Sequence, residues 1–331
     1  MNMQKYLITG FSGFVGYHFL HFLDSVVSED TDILGIDLYP PNDFDTDSYK
    51  FKKLNVKFQP LNILNYDLLK ENICSFLPTR IIHLAALSSV GESYNKPVEC
   101  FLNNTNIFLN LVEIIRTNNI NCRILSVGSS EEYGNVDISS IPLLENNELK
   151  PVSPYAIARV SQEMLASYYV KTFDLDIILT RSFNHIGIRQ KDTFVIPSII
   201  KQLVHGEKNG EKNIELFMGD VSIIRDFVDV RDVVRAYYLL FEKGLKGEVY
   251  NICSGKGETL ENVIYIIAKI LDINVKIIVC KEKIRPNDNK MIIGSYQKIK
   301  NNIGWEPVIG IEESFRKIID YWKLEVSCEK P

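Results

Sequence analysis

No C-x-x-C pair, no surplus of basic residues and no long apolar run occurs in this 331-residue sequence, and each absence excludes a class of protein. The six cysteines (Cys74, Cys100, Cys122, Cys253, Cys280 and Cys328) are scattered. That pattern speaks against a zinc site or a disulfide framework and predicts buried free thiols. The five histidines show no metal-ligand spacing, so no metal is expected. Lys and Arg total 37 against 42 Asp and Glu, a net charge of −5. Such a balance offers no field for nucleic acid or for anionic lipid, and neither is expected as a partner. No stretch approaches the roughly 20 apolar residues of a membrane helix. The opening MNMQKYLITGFSGFVG lacks the basic start, apolar core and small-residue cleavage site of a signal peptide, so a cytoplasmic location is expected. Hydrophobic residues are 46% and charged residues 24%, which excludes global disorder.

Apolar runs instead alternate with amphipathic segments through the first half. KYLIT, DILGID, the 57–60 segment, RIIH, RILSV and DIILT read as six strands. The stretches 15–28, 66–76, 101–117 and 154–173 read as helices between them. That rhythm predicts an α/β fold with a doubly wound, Rossmann-type parallel sheet covered on both faces. After about Ser182 the rhythm breaks, with helices expected at 197–205, 230–242 and 260–271 and a short strand at VYNI (249–252). Pro197 suits a first helical position, and the polar stretch 207–212 reads as a surface loop. We therefore expect a dinucleotide-binding domain over 1–182, with later segments at about 226–255 interleaved, and a smaller mixed α/β C-terminal substrate lobe over 183–331.

Gly10, Gly13 and Gly16 form G-x-x-G-x-x-G directly after the first strand. The first glycine allows a tight turn, the second a close approach of pyrophosphate, and the third close packing of helix on strand. The helix start then offers free N–H groups and partial positive charge to phosphate. Asp37 ends the second strand, where an acid accepts hydrogen bonds from the adenosine ribose. A carboxylate there repels a 2′-phosphate, so NAD(H) is expected over NADP(H).

GSSEEYG closes the fifth strand and SPYAIAR opens the next helix, so Ser129 or Ser130, Glu131 and Tyr155 converge on the carboxyl end of the sheet. A tyrosine beside a cation serves as general acid or base toward a carbinol or carbonyl oxygen. Glu132 reads as a solvent-facing charge, and His83, at a strand end, as structural.

These motifs, together with HLAALSSV, RSFNHIG, TFVIP, RDFVDVRD and GWEP, resemble the extended short-chain dehydrogenase/reductase family, in particular its GDP-sugar branch. The resemblance runs almost end to end. It implies cofactor contacts from Gly10, Gly13, Phe14, Val15, Gly16, Asp37, Asn62, Ile63, Ala85, Ala86, Asn104, Tyr155 and Arg159. It implies substrate contacts from Ser88, Ser130, Asn184, Val195, Arg225 and Arg285, the two arginines gripping the diphosphate of a GDP-sugar. Catalysis is implied for Ser129, Tyr155, Arg159 and Glu131, and a homodimer through a four-helix interface of the 101–117 and 154–173 helices. The reaction implied is reduction of the C4 keto group of a GDP-4-keto-6-deoxy sugar, hexose or heptose. Dehydration or epimerisation with bound NAD is the alternative, since Glu131 stands where dehydratases of the family place a catalytic glutamate. The family pattern is Tyr-x-x-x-Lys; here Arg159 replaces the lysine. Arginine keeps the charge but is planar and bulkier, so a charge surrogate and a catalytically weak binding subunit are both open.

Overall fold

The computed structural model describes residues 4–284 and 289–328. Six parallel strands come from the first half: β1 (Lys5–Thr9), β2 (Thr31–Asp37), β3 (Leu54–Pro60), β4 (Arg80–His83), β5 (Arg123–Ser129) and β6 (Asp176–Ser182). With the later strand Val249–Ile252 they form a seven-stranded sheet in the order Val249–Ile252, β6, β5, β4, β1, β2, β3. The order reverses between β1 and β4, and the carboxyl ends there flank a crevice of the kind that holds ligands in open α/β sheets. The central strands are buried on both faces, which is why they read as continuous apolar runs. One face packs on the helices Phe14–Val26 and Val230–Lys243 through Phe19, Leu20, Val233 and Tyr237. The other packs on the helices Tyr66–Phe76 and Ile107–Thr117 through Leu69, Ile73, Phe108 and Leu111.

A separate apolar cluster joins the helices Val195–Lys208, Leu260–Leu271 and Ile311–Cys328. Beside it lie a small mixed sheet around Ile224–Asp229 and a parallel pair of Asn213–Met218 with Asn274–Val279.

Several local expectations need correction. The helix holding Pro197 starts at Val195, so the proline sits inside its first turn, and the same helix continues through Lys208 instead of yielding to a loop at 207. The segment 101–117 is not one regular helix: Pro97–Phe101 is α-helical, Leu102–Asn106 is a π-helical turn, and Ile107–Thr117 is α-helical. Cys100, Cys122 and Cys253 are buried, but Cys74 and Cys280 are half-buried and Cys328 is exposed; all are free thiols. No helix among the described residues is long and apolar enough to cross a membrane.

Candidate active site

The turn after β1 begins at Gly10, whose φ of +70° suits glycine. A Cβ there would lie 2.6 Å from the amide nitrogen of Ala85, so the turns after β1 and β4 touch through backbone alone. A Cβ on Gly16 would lie 2.5 Å from the carbonyl oxygen of Phe11, which draws the helix Phe14–Val26 onto the strand. Gly13 is the cap of that helix, and no side chain bonds its first N–H groups. Those donors and the positive end of the helix are what pyrophosphate requires. Phe14 and Val15 open the helix, half-buried.

At the tip of β2 the Asp37 carboxylate is fixed by two backbone amides. Ser12 N–H donates to Oδ2 (3.0 Å) and Leu38 N–H to Oδ1 (2.7 Å). Ile63 is buried and Asn62 is exposed, its Oδ1 accepting from Leu64 N–H in a local turn. Ala85 and Ala86 are half-buried on the turn after β4, and Ser88 is exposed. Asn104, fully buried in the π-turn, spends its amide on Leu87: Oδ1 accepts from the backbone N–H (2.8 Å) and Nδ2 donates to the carbonyl (3.2 Å). It therefore fixes the loop after β4 through that loop's backbone. His83 is buried, its Nδ1 2.8 Å from Thr9 Oγ1, and burial pushes its pKa down to about 3, so it stays neutral. A glycine cradle, an uncapped helix start and a fixed acid fit a nicotinamide dinucleotide.

Tyr155 and Arg159 stand one turn apart near the start of the helix Pro154–Phe173, which Ser153 caps by accepting from Ala156 N–H. Four-residue spacing puts them on one helix face. Arg159 Nε donates to Tyr155 Oη at 3.2 Å, and the guanidinium carbon lies 5.3 Å from the ring centroid. Tyr155 is 6% exposed and Arg159 4%. The phenol's own hydrogen has no acceptor among the described residues.

Ser129 ends β5 and caps the single turn Ser130–Tyr133. Its Oγ accepts from Glu131 N–H (3.2 Å), which leaves its proton available to donate. Ser130 is buried beside it and Glu131 is half-buried on the same turn. Asn184 heads a three-residue strand directly after β6, and Val195 is the first residue of its helix. Arg225 is 6% exposed, with Nη1 donating to the carbonyl of Asn289 (2.7 Å). Arg285 lies outside the described residues.

Glu132 overturns the expectation of a solvent-facing charge, because it is completely buried. Its Oε1 accepts from Ser129 N–H at 2.6 Å, while Arg181 gives its close bidentate contacts (2.9 and 2.7 Å) to Glu163. Burial and the neighbouring Glu163 carboxylate raise the Glu132 pKa well above the ordinary range. A carboxyl with a raised folded-state pKa contributes stability at acid pH that is lost as pH rises past its unfolded value, near about 4.3. Replacing Glu132 by Gln removes that dependence. The Tm difference between the Glu132→Gln variant and the native chain should therefore move in the variant's favour from about pH 5 to about pH 8. Parallel Tm curves in calorimetry would refute a protonated Glu132.

The sheet, the glycine cradle and the tyrosine–cation pair define a nicotinamide-dependent oxidoreductase of Rossmann type. The chain belongs to the family described as GDP-mannose 4,6 dehydratase, within the extended short-chain dehydrogenases/reductases; that family matches residues 7–318. It is 30% identical over 330 residues to the GDP-6-deoxy-D-mannose reductase of Pseudomonas aeruginosa, covering 98% of this chain and 99% of that one. Among solved structures it is similar to RMD from Pseudomonas aeruginosa complexed with NADPH (TM-score 0.82, 28% identity, 98% and 100% covered). It is also similar to dTDP-glucose 4,6-dehydratase from Bacillus anthracis in complex with NAD (TM-score 0.83, 25% identity, 98% of each chain covered).

Proposed function

We propose that this chain reduces the C4 keto group of a GDP-4-keto-6-deoxy sugar, a hexose or heptose, in nucleotide-sugar and polysaccharide biosynthesis in the cytoplasm. The observation that carries this reading is the buried Arg159–Tyr155 hydrogen bond at 3.2 Å, on a helix that packs against β5 and the turn capped by Ser129, whose hydroxyl proton is free. A bound reduced nicotinamide supplies hydride to the carbonyl carbon. Ser129 donates a hydrogen bond to the carbonyl oxygen and polarises it. Tyr155 gives that oxygen its proton, and the Arg159 charge stabilises the phenolate left behind. In this reading residues 1–182, with about 226–255, form the cofactor half. Residues 183–331 form the sugar half, where Arg225 and Arg285 hold the diphosphate, with Asn184 and Val195 beside it.

The test is direct. Incubation with GDP-4-keto-6-deoxy-D-mannose and NADH should consume both in equal amounts, followed by near-ultraviolet absorbance and mass spectrometry. Conversion of GDP-mannose without added cofactor would replace reduction by dehydration. That second reading draws on Glu131, which shares the turn of Ser129 and is half-exposed.

NADH is the expected donor, although a relative binds NADPH. Asp37 is held by two amides, so swinging it away from a 2′-phosphate costs both hydrogen bonds. We expect kcat/KM to favour NADH by about tenfold or more, and Asp37→Ser to close most of that gap. Equal use of both by the native chain in steady-state assays would exclude this role for Asp37.

A homodimer is proposed across the two segments 97–117 and 154–173. Ile157, Met164 and Tyr168 are exposed in a helical stripe on one, and Val98, Phe101 and Leu102 on the other. Such contiguous apolar faces mark association surfaces.

A further inference from the structure

We propose that Gln162 is a positioning residue that orients the Arg159 guanidinium without neutralising it, an inference that rests on the reading of Arg159 and Tyr155 above. Gln162 lies one turn beyond Arg159 on the same helix and is 1% exposed. Its Oε1 accepts from Arg159 Nη1 at 2.7 Å. Its Nε2 donates to Ser126 Oγ at 2.8 Å and to the carbonyl of Val127 at 3.3 Å. The amide is thus locked to β5 at one end and holds the guanidinium at the other. Arg159 Nη1 also donates to the Val127 carbonyl at 3.1 Å.

Every partner of Arg159 is neutral: an amide oxygen, a carbonyl oxygen and a phenol. None of the ion pairs among the described residues includes it. Two acids nonetheless pack beside Arg159 and Gln162, namely Glu132 and Glu163, with Arg181 next to them. Glu163 is committed to Arg181, and Glu132 to the Ser129 amide. A carboxylate at position 162 would still accept from Arg159 Nη1 and could accept from Ser126 Oγ, but it would lose the donation to the Val127 carbonyl and would discharge the guanidinium. The charge that favours the Tyr155 phenolate would then be spent on an ion pair. A neutral acceptor fixes the plane of the guanidinium and leaves its field intact. Lysine, with three rotatable donors on one nitrogen, needs no such planar guide.

Isosteric Gln162→Glu keeps the shape and adds a charge. In the holoenzyme we expect it to lower kcat at neutral pH by about tenfold and to move the alkaline limb of the kcat/KM profile up by about one pH unit. Gln162→Leu should lower kcat by about tenfold with the limb in place, as orientation is lost and charge retained. In an Arg159→Lys background, Gln162→Leu should cost less than about threefold, because the planar group it guides is gone. An unchanged limb in Gln162→Glu overturns the proposal. So does an equal loss from Gln162→Leu in both backgrounds, which is what a purely structural glutamine would produce. A readout without substrate separates this from failure of the functional reading: a crystal structure of Gln162→Leu with the dinucleotide bound. The Arg159 guanidinium should leave its bonds to the Val127 carbonyl and Tyr155 Oη there even if no ketosugar is turned over, and an unmoved guanidinium overturns the proposal.

Discussion

Replacing Tyr155 by Phe should lower kcat by about 10³-fold while leaving NADH affinity and Tm close to native values. The reason is specific to the packing. The ring is buried and lies 5.3 Å from the Arg159 guanidinium carbon, and phenylalanine keeps both the volume and the aromatic face. What disappears is the hydroxyl that accepts from Arg159 Nε and whose own proton is uncommitted. Loss of a positioned proton donor accounts for about 10²–10⁴-fold in general acid catalysis. Single-turnover kinetics with NADH already bound would isolate the chemical step. A residual rate within about tenfold of native would move the proton donor to another group, with Ser129, whose hydroxyl proton is uncommitted, as the next candidate.

The second large effect concerns the cation. Arg159→Met should lower kcat by about 10²–10³-fold, and Arg159→Lys should stay within about tenfold of the native chain. The nearly buried guanidinium donates to the phenol oxygen and places its charge beside the negative charge that develops there, and methionine removes that support while filling similar space. Lysine restores charge but gives up the planar bonds to the Val127 carbonyl and Gln162. Silence of the native chain on every GDP-4-ketosugar, with full activity in Arg159→Lys, would mean that this protein binds nucleotide sugars without turning them over.

The parts of this arrangement legible in the sequence are those set by short-range rules. The strand–helix alternation follows from apolar runs and amphipathic spacing, and β1–β6 lie close to where those patterns place them. The glycine cradle is visible because three glycines between strand and helix answer one backbone requirement. The Tyr155–Arg159 pair is visible because four residues make one helical turn.

What was not legible depends on distant partners. Glu132, the second of two consecutive acids, looks exposed, and it is buried only because β5 meets β6, which carries Arg181, and the helix bearing Glu163. Gln162 carries no motif; its task becomes visible only when β5 lies alongside its helix. The three-residue strands of the second half, such as Asn184–Ile186 and Gly257–Thr259, are too short for a periodic signal and exist by pairing with Ile224–Asp229. The π-turn at Leu102–Asn106 likewise leaves the apolar periodicity almost unchanged while turning Asn104 inward to Leu87.

The strand Val249–Ile252 has a practical outcome for anyone dissecting this chain. It returns from the second half to pair with β6, and the helix Val230–Lys243 returns with it to cover one face of the sheet. A fragment cut after residue 182 would carry a complete glycine cradle, yet β6 would become a bare outer edge and Phe19 and Leu20 would lose their cover. Such edges recruit strands from neighbouring molecules. The amputated half is expected to precipitate on expression more readily than the intact chain.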